Sequence, residues 1–129
     1  MHRLRICFLA ATIGGTLLAG PAAAAPDKSG GVAFMSAVVA KNGALKRGSG
    51  AESAVRTVVG NYEVTFQRSI AACAWSVSIG EATPGGQIEL GITYGFRAVA
   101  NNRTVGVQTR NPSGSLADLP FHIIVFCAR

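Results

Sequence analysis

The feature that most constrains this chain is a rhythm. Short segments in which apolar and polar residues alternate recur along it, closed by Gly, Asn or Pro, and the three-to-four spacing of a helix is nearly absent after residue 31. A period of two puts alternate side chains on opposite faces of a strand. Tyr62, Val64 and Phe66 alternate with Glu63, Thr65 and Gln67, the pattern of a half-buried strand. Cys73, Trp75, Val77 and Ile79 share one face of the next segment, and Phe121, Ile123, Val125 and Cys127 share a face of the last. That last segment is apolar on both faces, which predicts a central strand.

Further strands are expected over 32–40, 44–47, 52–59, 88–94 and 105–110, with 96–100 continuing after a bend at Gly95. In the 88–94 segment Ile88, Leu90, Ile92 and Tyr94 form a row read as core-facing. Asn42-Gly43 is a strong hairpin signal because both positions tolerate positive φ. Together these segments predict an all-β fold: a single antiparallel β-sandwich of about eight strands over 32–129.

The N-terminus reads differently. Arg3 and Arg5 precede an apolar run over 6–18, and Ala22 and Ala24 fit the small-residue rule for cleavage. Residues 1–24 are therefore expected to be a signal peptide, and 25–31 a disordered lead-in. The apolar run falls short of the ~20 residues a membrane-spanning helix needs, so no transmembrane segment is expected after processing. Cys7 precedes the apolar run and is not placed like a lipoprotein acceptor.

Removing Arg3 and Arg5 lowers Lys plus Arg from 12 to 10 while all 6 acids remain, so the net charge falls from +6 to +4. The remaining bases are scattered, with Lys46-Arg47 the one adjacent pair. A nucleic-acid binder concentrates its charge on one face, so no nucleic-acid partner is expected. Two cysteines survive processing, Cys73 and Cys127. An even pair in an exported chain points to a disulfide, the alternative being two buried thiols. Such a bridge would contribute up to about 4 kcal/mol by restricting the unfolded chain. Alternation does not reveal whether the two strands are neighbours.

Several segments carry a resemblance. Arg47-Gly48-Ser49-Gly50, the run from Asn61 to Arg68, Ala72-Cys73-Ala74-Trp75, the run from Val107 to Asn111 and the ending from Gly114 to Cys127 together resemble small secreted bacterial proteins of the actinobacterial type. These have a signal peptide and one β-domain with this cysteine pair. Similar segments also resemble end domains of phage-tail-like or collagen-like chains. Trp75 stands where the group often has a tyrosine, and the loop near Asn101 is shorter. The resemblance implies fold, compartment and disulfide, and carries no activity.

Candidate chemistry is sparse. His122, with Asp118 and Ser113 or Ser115, has the residue types of a hydrolytic triad, but it lies in an apolar strand and reads as a neutral, satisfied histidine. Glu63 and Glu89 are an acid pair in type only, each on the polar side of its strand. One histidine and a paired cysteine do not make a metal site, and Gly48-x-Gly50 lacks the dinucleotide-binding setting, so no cofactor is expected. Trp75 and Tyr62 read as core residues, and Arg68, Arg97, Arg103 and Arg110 as solvated turn charges. The expectation is a secreted, non-enzymatic extracellular or cell-surface binding module, acting through loops and sheet edges on a cell-envelope glycan or on itself. The alternatives are a homo-oligomeric structural domain, and a small secreted hydrolase or inhibitor.

Overall fold

In a computed structural model of the chain, residues 32–98 and 101–128 are described. The expected leader and lead-in, and the last two residues of the expected 96–100 extension, lie outside the described residues. Eight strands follow in order: β1 (Val32–Val39), β2 (Leu45–Ser49), β3 (Ala51–Val58), β4 (Asn61–Phe66), β5 (Cys73–Ile79), β6 (Ile92–Arg97), β7 (Thr104–Arg110) and β8 (Phe121–Ala128). They form two antiparallel four-stranded sheets, sheet A with the order β2-β1-β8-β5 and sheet B with the order β3-β4-β7-β6. No helix occurs among the described residues. The fold is the expected all-β sandwich of eight strands, with β8 central in its sheet.

The turns follow from the residues that make them. At the β1–β2 hairpin Gly43 has φ +88°, and the Ala44 N–H donates to Asn42 Oδ1 at 3.1 Å. Between β2 and β3 a single residue, Gly50, takes the chain from sheet A to sheet B with φ +69°. A Cβ there would lie 2.8 Å from Met35 Cγ, so handedness and space both demand glycine.

Inward side chains of both sheets interleave. Met35, Ala37 and Val39 from β1, Phe121, Ile123 and Val125 from β8, Tyr62, Val64 and Phe66 from β4, and Val105 and Val107 from β7 are buried. Each large apolar side chain so buried is worth roughly 1.5–3 kcal/mol of transfer free energy. Trp75 and Val77 pack against this cluster, as expected for the Cys73 face.

Cys73 and Cys127 lie directly opposite one another in the β5–β8 ladder, with Cα atoms 4.3 Å apart, and are joined in a disulfide. The two strands are therefore neighbours, and the bridge ties edge strand β5 to central strand β8 within sheet A.

One row turns out reversed. β6 begins at Ile92, and 88–91 is not strand. Ile88 is 82% exposed and Leu90 74%, with Ile92 and Tyr94 also on the outside. The inward position is Gly95, where a Cβ would lie 2.8 Å from Trp75 Cδ1 and 2.9 Å from Val77 Cγ2. The bulk that fills the core at this edge comes from β5, so β6 must turn its small residues inward and its large ones out.

Candidate functional site

The outer face of sheet B is built from alternate residues of adjacent strands. The register sets Val55, Glu63, Gly106 and Phe96 in one row across the sheet, and Asn61, Gln108 and Tyr94 in the next. Tyr94 is 47% exposed and Phe96 41%. Their ring centroids are 6.1 Å apart at an interplanar angle of 48°. Phe96 lies across the β7 backbone at Gly106, where a Cβ would come 2.3 Å from Cε2 of its ring. Glycine at 106 thus lets an aromatic ring cover the sheet surface.

Beside the rings runs a bonded polar row whose hub is Gln108. Its Oε1 accepts from Tyr94 Oη at 2.7 Å and from Arg110 Nε at 2.9 Å, and its Nε2 donates to Asn61 Oδ1 at 2.9 Å. Arg110 Nη1 also donates to the Gly114 carbonyl at 2.7 Å, which holds the guanidinium at the end of the row. Two acceptor contacts on one amide oxygen fix which way the amide points. Glu63 sits in the adjoining row, half-buried, and takes part in none of the ion pairs among the described residues. The arrangement offers a half-exposed aromatic strip next to preset donors and acceptors.

The other candidates are dispersed. His122 lies on the outer side of sheet A, its Nε2 2.7 Å from the Glu81 carbonyl oxygen. Asp118 does not face it. One Asp118 oxygen accepts from Arg56 Nε at 2.7 Å and from the Gly60 N–H at 2.8 Å, and at 3.3 Å it shares the Tyr62 hydroxyl proton with the Lys41 carbonyl, which lies nearer at 2.9 Å. The Arg56 bond holds the Asp118 carboxyl below the ordinary carboxylate range. Burial, with the Asp118 charge adding to it, pushes the Tyr62 phenol up to about 12. This cluster clasps the 111–120 loop to the β3–β4 hairpin, and the triad is not assembled. Glu63 and Glu89 are not brought together either: Glu89 pairs with Lys41 at 3.0 Å at the margin of an open cleft of about 260 Å³. Arg97 and Arg103 sit at one end of sheet B and Arg110 at the other, and Arg103 is paired with Glu52 at 2.9 Å.

Sequence reasoning missed the Gln108 row and the Asp118 clasp. Gln108 and Asn61 carry no signal beyond ordinary alternation. Asp118 sits in a loop, and its partners Arg56 and Tyr62 are far away in sequence.

Fold and surface together define the class: a disulfide-stapled, two-sheet antiparallel β-sandwich with an aromatic, amide-lined outer face. No protein family, curated protein or solved structure matches the chain.

Proposed function

We propose that this chain is an exported, non-enzymatic binding module that holds a cell-envelope glycan on the outer face of sheet B. The observation that carries this reading is the half-exposed Tyr94–Phe96 pair beside the Gln108 row. A sugar ring has apolar C–H faces and a hydroxyl rim. Aromatic rings take the faces, and planar amides, a carboxylate and a guanidinium take the rim. The apolar line continues from Phe96 and Tyr94 through Ile92 to Leu90, which suits an extended polymer. Export is supported by the leader-like N-terminus and by the disulfide, which belongs to an oxidising compartment.

The test is retention of the disulfide-intact protein on immobilised cell-envelope polysaccharides. Wild type should be retained, and Tyr94→Ala and Phe96→Ala should each weaken retention about five- to ten-fold, as expected for one lost stacking contact. Equal retention of variants and wild type, or none by wild type on any polysaccharide, would refute the site. Release of new reducing ends by wild type would refute the non-catalytic part. The N-terminal mass of the exported form checks cleavage after Ala24.

A further inference from the structure

We propose that the outer face of sheet A is the contact surface of a symmetric dimer of this chain. The two central strands raise a ridge there, with Phe34 opposite Phe126 in the ladder and Ile124 next along β8. The Phe34 and Phe126 rings meet edge to face at 5.3 Å, and Phe34 is 55% exposed. On the flanking edge strands the same rows carry small residues, Ala74 and Ser76 on β5 and Ser49 on β2. A ridge between two shallow troughs is self-complementary: offset about a twofold axis, the ridge of each copy rests in a trough of the other.

Charge selects the occupant. Among the described residues the outward register positions of this face carry no formal charge except Arg47, whose Nη1 reaches the Ala82 carbonyl at 2.9 Å. An ionic partner therefore finds nothing to pair with. A second copy brings Arg47 as its one like charge, at the β2 edge, and the ridge strands β1 and β8 carry none, although the chain as a whole is basic. Size sets the strength. Strands of 5, 8, 8 and 7 residues, at about 3.3 Å per residue and about 4.8 Å apart, cover ~450 Å² per copy, or ~900 Å² in all, in the range of weak, transient contacts. The dimer should be weak and concentration-dependent.

Stacked in this way, the two sheet B faces point in opposite directions, so one dimer would engage two polymer chains. That consequence rests on the glycan reading; the dimer does not. The test is sedimentation equilibrium of the disulfide-intact exported protein from low micromolar to near millimolar concentration. Wild type should pass from one-chain to two-chain mass. Phe34→Glu should remain a single chain, and so should Ser76→Arg, which fills the trough on an exposed edge strand and keeps the test open if the first variant folds poorly. Both should melt within a few degrees of wild type, and Tyr94→Ala should dimerise normally even if no polysaccharide is ever retained. Wild type at one-chain mass throughout would overturn the proposal, as would a dimer that survives a folded Phe34→Glu or Ser76→Arg variant. Loss of polysaccharide retention in these variants of a monomeric protein would assign the face to the ligand instead.

Discussion

The outer faces of the two sheets are held in different ways. On sheet A the outward side chains, His122 and Arg47 apart, are apolar or small, and beneath them a covalent bridge joins β5 to β8. On sheet B no disulfide is present among the described residues, and the outward side chains lace the strands together: Asn61 of β4 to Gln108 of β7 to Tyr94 of β6, with Thr65 of β4 bonded to Thr104 of β7 at 2.9 Å. Sheet A owes its order to the core and the bridge, so its outer apolar groups are surplus to the fold. Sheet B uses its outer polar groups in the fold, and the same bonds leave them preset for a ligand.

The largest expected effect strikes sheet A. Reduction, or a Cys73→Ala and Cys127→Ala pair, should cost about 3 kcal/mol and lower Tm by about 15 °C in a domain of this size. Amide exchange should rise first in β5, an edge strand that would then be held only by its ladder to β8, while β4 and β7 keep their protection. Equal loss of protection in both sheets would erase the distinction between them.

A smaller effect is expected at the Asp118 clasp, which neither sheet's outer face supplies. Asp118→Asn should cost about 1–3 kcal/mol, because Arg56 and the Gly60 N–H lose a charged acceptor. The Asp118 carboxyl is held below its unfolded value, so its contribution is present above that value and fades as pH falls through the folded one. Tyr62 works at the other end: its phenol ordinarily titrates at 10.0 and here near 12, so stability should decline as pH rises between these values. Urea midpoints against pH should show an acid limb flattened by Asp118→Asn and an alkaline limb flattened by Tyr62→Phe.

How much of this was legible in the sequence follows from which interactions are local. Alternation in Tyr62–Phe66 and Phe121–Cys127 reports which face is buried, because burial acts on every second residue along one strand. The Asn42-Gly43 turn was legible for the same reason: its chemistry lies in adjacent residues. The direction of β6 was not, since it depends on Trp75 arriving from the other sheet to fill the space at Gly95. The site was not legible either. Asn61, Gln108 and Tyr94 become one row only through the lateral order β4-β7-β6, and nothing along a single strand encodes which strand lies beside it. The disulfide stands between: the pairing could be expected from two cysteines, but not that both strands belong to one sheet.

Within sheet B, Gln108→Ala separates folding from readiness to bind. It removes the bonds to Asn61, Tyr94 and Arg110 from a partly exposed residue, so stability should fall by about 1 kcal/mol. Retention on polysaccharide should fall several-fold, because the Tyr94 hydroxyl loses its partner and Asn61 and Arg110 are each left with a single backbone carbonyl to hold them. A stability loss with unchanged retention would mean that the row serves the sheet alone.

The smallest effect should come from the ion pair at the other end of the same sheet. Arg103 and Glu52 meet at 2.9 Å, with side chains 45% and 49% exposed. Two long side chains held together in water gain little over their lost freedom, so Glu52→Gln should change stability by less than about 0.5 kcal/mol. What remains should vanish at high salt. The Arg56–Asp118 pair has similar length at 2.7 Å, but its side chains are 33% and 29% exposed and its carboxylate also accepts a backbone N–H and a phenol. Chemical denaturation of Glu52→Gln and Asp118→Asn side by side, at low and high salt, measures the difference. If the two variants lose equal stability, the weight here placed on additional hydrogen bonds to a carboxylate, over its distance from a cation, is misplaced.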